Sequence, residues 1–89
     1  MTEQKLAEWI KNNQVGTDEH GMAYNDSVKV SFKLDGIDMP LERISCDTMN
    51  RVHLKLRAGK IFCSIDYSNL TDYLREKLSD AIEAMTPKD

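Results

Sequence analysis

Apolar and polar residues alternate strictly through Val28-Lys29-Val30-Ser31-Phe32-Lys33-Leu34, as expected of a strand with one face in a core and the other in water. Asp35-Gly36 follows, the dipeptide that best supports a two-residue type I′ turn. Val52-His53-Leu54-Lys55-Leu56-Arg57 alternates in the same way, and a turn at Ala58-Gly59 leads into Ile61-Phe62-Cys63-Ser64-Ile65-Asp66. The pattern predicts two β-hairpins in series. Registered from its turn, the first sets Leu34 against Ile37, Lys33 against Asp38, Phe32 against Met39 and Lys29 against Glu42. Val28, Val30, Phe32, Leu34, Ile37, Met39 and Leu41 then share the inner face. Pro40 has no N–H for a ladder, which predicts that its strand is an edge. In the second hairpin, pairing Leu56 with Ile61 sets Leu54 against Cys63 and Val52 against Ile65, all inward. Between the hairpins, residues 43–51 break the alternation, and Ser45 or Asp47 there is placed to cap one helical turn or to close an irregular strand end.

Helical spacing appears only near the ends. Thr2 is a candidate N-cap for a first helix running to about Asn13, with Leu6, Trp9 and Ile10 on one face and Ala7 beside them. Leu70, Leu74, Leu78, Ala81, Ile82 and Met85 follow a 3.6-residue period and predict a second helix over residues 70–85. Ser68 or Asn69 would cap it, Asp72 would sit in its first turn, and Pro87 would stop it. Residues 16–27, rich in Gly, Asn, Asp and Ser, read as a long loop whose apolar patch is Met22-Ala23-Tyr24, and loops of that length are often functional. The expected fold is an α+β two-layer sandwich. It comprises an antiparallel sheet of about four strands, arranged as two hairpins, with an N-terminal and a C-terminal helix on one face. Residues 1–89 form a single domain.

Composition narrows the function classes more than it selects among them. Hydrophobic residues make up 40% and charged residues 30% of the chain, ordinary values for a globular protein. No apolar run approaches the roughly 18 residues of a membrane span, and the polar start Met1-Thr2-Glu3-Gln4-Lys5 is unlike a signal peptide. With that start, Asn69-Leu70-Thr71 is not expected to act as a glycosylation sequon. Cys46 and Cys63 are too few for a disulfide scaffold and fit a reducing compartment. A cytoplasmic protein with no membrane association is therefore expected. The net charge of −3 is unevenly spread, at −3 over residues 1–27, +3 over residues 28–60 and −3 over residues 61–89. Such layering bears on partners and association, not on fold.

The chain lacks the familiar equipment of catalysis. It contains no Gly-rich phosphate loop, nucleophile elbow, CxxC or HExxH. His20, Cys46, His53 and Cys63 are all widely separated, without the close pair that zinc sites use. Cys46 and His53 lack an orienting group or an oxyanion hole for nucleophilic chemistry. Asp18, Glu19 and His20 form a polar cluster that reads as a solvated loop. No enzyme, cofactor or metal is expected.

The exposed sheet face remains. Lys29, Ser31, Lys33, His53, Lys55, Arg57, Lys60 and Phe62 are predicted to share it, a basic surface with one aromatic. A solvated face whose lysines discourage edge-to-edge aggregation is the plainest account. The functional account is a docking surface in which Lys29, Lys33, His53, Lys55, Arg57, Lys60 and Phe62 bind a partner. Flanked by Lys55 and Arg57, His53 is expected to resist protonation. Nucleic acid is one candidate partner, since a basic sheet with an exposed aromatic can contact phosphate and stack a base. The order helix, strands, helix is similar to that of double-stranded RNA-binding domains. The last helix, however, opens Leu70-Thr71-Asp72-Tyr73 without a basic cluster for phosphates, and the isoelectric point near 5.3 is acidic. A partner protein with an acidic or mixed-charge surface is the preferred expectation, with self-association through the basic middle and acidic ends as a variant. The sequence thus suggests a non-enzymatic interaction domain, a small regulator or inhibitor, with RNA or single-strand binding as the alternative.

Overall fold

The computed structural model describes residues 1–85. Its elements are helix α1 (Glu3–Asn12), strands β1 (Gly16–Thr17), β2 (Ala23–Asn25), β3 (Ser31–Leu34), β4 (Ile37–Cys46), β5 (Val52–Ala58) and β6 (Ile61–Asp66), a 3-10 turn (Tyr67–Asn69) and helix α2 (Asp72–Met85). The sheet is antiparallel throughout, in the order β1-β2-β4-β5-β6, with β3 added to the same side of β4 as β2. This is the expected α+β sandwich, with six strands instead of about four. The extra two are short and come from residues 16–27. There Asn25, buried, donates from Nδ2 to the Asn13 carbonyl at 2.7 Å and accepts from the Ser27 N–H at 2.9 Å. A polar side chain thus ties the end of α1 to β2, a contact that no apolar period announces.

The first hairpin forms in the predicted register from Leu34–Ile37 to Phe32–Met39, and it continues to Ser31–Pro40. Both turn residues have positive φ, Asp35 at 50° and Gly36 at 79°, as a type I′ turn requires. Beyond Ser31–Pro40 one further bond runs from the Leu41 N–H to the Val30 carbonyl at 2.8 Å, and Glu42 turns to Arg57 instead of Lys29, with 3.4 Å between Oε1 and Nε. Pro40 does not mark an edge either. The strand that holds it, β4, is the centre of the sheet. Alternation from the tight turn makes Ser31–Pro40 a non-hydrogen-bonded pair, so the proline nitrogen points away from β3. The β4–β5 ladder begins only at Leu41–Leu56, so no bond is lost.

A bulge between Leu41 and Arg43 shifts the register of β4 against β5. Met39 and Leu41 face inward before it, and Ile44 and Cys46 after it. The alternation that breaks in the sequence near Arg43 is therefore a continuous strand with its phase reset. The second hairpin closes two residues tighter than expected, pairing Ala58 with Ile61, Leu56 with Cys63 and Leu54 with Ile65. Gly59 takes φ 62° at the first turn position, as a type II′ turn does. A slip of two residues leaves every side chain on its predicted face.

Both helices bury their apolar sides in one core with the inner face of the sheet. Leu6 and Ile10 of α1, Leu78 and Ile82 of α2, and Phe32, Ile44, Val52, Leu54 and Leu56 of the sheet are all fully buried. Thr2 caps α1, its Oγ1 accepting from the Lys5 N–H at 3.2 Å. Glu3 Oε2 accepts from the Val52 N–H at 2.9 Å, which fixes the start of the helix to the start of β5. The second helix begins two residues later than predicted. The 3-10 turn uses Tyr67, Ser68 and Asn69, and Thr71 supplies the cap through the Leu74 N–H at 3.3 Å. The expected stop at Pro87 lies outside the described residues. Among the described residues no helix is long and apolar enough to cross a membrane.

Candidate functional site

The outer face of the sheet is ordered in rows that run across the strands. Tyr24, Ser45, His53 and Asp66 are successive cross-strand partners on β2, β4, β5 and β6. The next row is Arg43, Lys55 and Ser64, and beyond it Arg57 lies opposite Phe62. Four of the seven sequence-predicted residues, His53, Lys55, Arg57 and Phe62, are therefore neighbours. Of the other three, Lys60 sits in the β5–β6 turn, Lys33 pairs with Asp38 on the β3–β4 hairpin, and Lys29 precedes β3.

Each arginine on this face covers an aromatic ring. The Arg57 guanidinium lies 4.1 Å from the Phe62 ring centroid, and that of Arg43 lies 3.9 Å from the Tyr24 ring. Such contacts hold planar cations flat and leave their edges free to meet carboxylates. Sequence reasoning missed Arg43 because alternation alone does not settle its face. The available signal was the three-residue gap between Leu41 and Ile44, the spacing a bulge produces.

His53 joins three elements. Its Nε2 lies 3.0 Å from Asp47 Oδ2 in the β4–β5 connection, and its Nδ1 lies 2.8 Å from Asp66 Oδ1 on β6. Partial burial works against the charged ring, but the hydrogen bonds to Asp47 and Asp66 outweigh it and the pKa is raised above 6.5. The expectation that Lys55 and Arg57 would keep His53 neutral is thereby reversed. Neighbours along a strand lie on the same face two residues apart, roughly 7 Å away, whereas the two carboxylates are in hydrogen-bond contact. Asp47 is held below the usual carboxylate range, first by His53 and then by the Arg51 and Met49 N–H groups. Both ring nitrogens of His53 are thus held by carboxylates.

Beside these rows lies an open groove of about 320 Å³, lined by Asp18, Met22, Arg43, His53, Lys55 and Asp66 among others. Its wall is the β1–β2 connection, which Asp18 organises. Asp18 Oδ1 accepts from the N–H groups of His20 and Met22 at 2.8 and 2.9 Å. Its pKa is lowered, first by the Met22 N–H and more weakly by the His20 N–H and the charges of His20 and Arg43. Residues 16–22 are thus a shaped rim and not a free loop. The face as a whole is of mixed charge, because Glu42, Asp47, Asp66 and Asp18 stand among its cations. A larger cleft of about 590 Å³ separates the start of α1 from α2. Five of its eleven lining residues are carboxylates, and its Arg75 is already engaged with the carbonyls of Tyr67 and Ser68. No group of three or more His, Cys, Asp or Glu among the described residues is arranged to hold a metal ion.

Comparison of the chain with family models, curated proteins and solved structures gives no match.

Proposed function

We propose that this chain is a non-enzymatic protein-interaction domain, a small regulator or inhibitor, that binds a partner protein through the outer face of β4, β5 and β6. One observation carries the reading. Phe62 is 58% exposed on β6, at the border of that face, with Arg57 stacked on it and Lys55 in the adjacent row. Aromatic and arginine side chains that are rigid before contact make effective anchors, since little conformational freedom is left to lose. Covering the exposed part of the ring contributes roughly 1–2 kcal/mol. The partner that fits is itself of mixed charge, with carboxylates for Lys55, Arg57 and Arg43 and a cation or N–H donors for Glu42 and Asp66. The same carboxylates would repel a phosphate backbone, which weighs against nucleic acid.

The test is capture by the tagged chain, with and without nuclease, beside the Lys55→Glu/Arg57→Glu variant. A discrete protein that survives nuclease and is lost with the variant supports the reading, provided both chains unfold at similar urea concentrations. Capture that survives the double charge reversal refutes this face as the site. Loss to nuclease would favour RNA or single-strand binding instead.

A further inference from the structure

We propose that two copies of this chain associate by pairing β6 antiparallel with its symmetry mate about Cys63, joining their sheets into one. The inference is independent of the outer-face reading and rests on the free edge of β6. Among the described residues β6 pairs only with β5, and its six residues contain neither proline nor bulge. Its tight turn makes Ala58–Ile61, Leu56–Cys63 and Leu54–Ile65 the hydrogen-bonded pairs, so the N–H and C=O groups of Phe62 and Ser64 point away from the sheet. An edge in this state is a template for another strand. The opposite side of the sheet offers no equal, since β1 has two residues and β3 has four with Lys33 among them.

The occupant is argued from the self-complementarity of the strand. Ile61 and Ile65 lie two residues either side of Cys63, and Lys60 and Asp66 lie three residues either side with opposite charge. A two-fold axis through Cys63 therefore sets Ile61 against Ile65 of the partner copy, Lys60 against its Asp66, and Phe62 against its Ser64. In this arrangement Phe62 and Ser64 exchange main-chain hydrogen bonds, as their outward-pointing groups require. The isoleucines lie on the inner side, where Ile61 is 50% exposed and Ile65 only half-buried. Pairing covers both, and the two Lys60–Asp66 contacts specify antiparallel orientation. Shifting the partner by two residues in one direction would set Phe62 against Asp66, and in the other would leave Asp66 unpaired. Cys63 then faces its own copy in a non-hydrogen-bonded pair, whose Cα atoms are roughly 4.5 Å apart, within disulfide range.

That last feature supplies the test. Sedimentation of the full chain under reducing conditions, from micromolar to millimolar concentration, is expected to show a reversible rise to twice the monomer mass. Diamide is then expected to link the dimer through the two Cys63 thiols, itself taking up the two electrons and two protons released as the S–S bond forms. The link should persist in Cys46→Ser and vanish in Cys63→Ser. Ser64→Pro removes an N–H that faces the partner and not β5, and should leave a folded monomer. Should proline disturb the strand, Lys60→Glu decides, since it sets two like-charge pairs across the axis and should weaken the dimer about tenfold. A monomer at every concentration, a link through Cys46, or a dimer indifferent to Lys60→Glu would overturn the proposal.

Discussion

A protonated histidine donates two hydrogen bonds, and a neutral one donates a single bond. His53 stands between two carboxylates, 2.8 Å from Asp66 and 3.0 Å from Asp47, so only its charged form satisfies both. Because the folded pKa is raised above 6.5, the stabilisation is complete below that ordinary value and fades as pH rises through the folded one. Asp47 acts in the opposite sense, being lowered from 3.8, so its share is present above that value and lost in acid. The predicted window for the pair lies between the two. His53→Gln is therefore expected to cost more stability at about pH 5.5 than at about pH 8.5, as read by urea denaturation of both chains. An equal loss at both would show that the ring acts by packing alone. In the sequence His53 appears beside cations, whereas across the strands it faces anions. Linear distance misjudges an environment that the ladder sets.

At the scale of elements, turn chemistry and register carry most of the specificity. The β5–β6 turn spends a positive φ of 62° at Gly59, a conformation in which an L side chain crowds the following carbonyl. Gly59→Ala is expected to destabilise the domain by about 1–2 kcal/mol, measured as a lower urea midpoint with unchanged slope; no change would mean that the hairpin rearranges at little cost. Tightening this hairpin from the expected four-residue loop to two moves the pairing by an even number, so the faces stay as the alternation sets them although the register differs. Pro40 shows the reverse case. A missing N–H is not a property of the whole strand, because a proline excludes only one side at one position. The bulge at Leu41–Arg43 then gives the same strand two different sets of neighbours. Ser68, Asn69 and Thr71 are all residue types that cap well, and the 3-10 turn over Tyr67–Asn69 leaves the role to Thr71.

For the whole molecule, one core holds both helices to one sheet face, and the opposite face is open to solvent. Leu54 is 1% exposed and lies in that core. Leu54→Ala is expected to cost about 2–5 kcal/mol, against a total of about 5–15 kcal/mol for a domain, and calorimetry should find a sharply lowered melting temperature. The Lys55→Glu/Arg57→Glu reversal, one and three positions along on the outer side, removes the exposed Arg57–Glu42 pair and the Phe62 stack, at about 1 kcal/mol. The contrast between these substitutions separates what the sheet does for folding from the binding proposed for its outer face.

Alternation, helical period and the Asp35-Gly36 turn signal determined the helices at either end, the type I′ hairpin and the inner and outer faces of β3, β5 and β6. These are local properties, settled by side-chain periodicity and turn sterics within a few residues. Only the tertiary structure decided that β4 is central, that residues 16–25 add two strands to the sheet, and that His53 meets Asp47 and Asp66. Those outcomes depend on which strand lies beside which, and on a bulge that reverses the phase of one strand. Pairing energies between distant segments set both, and no window of the chain contains them.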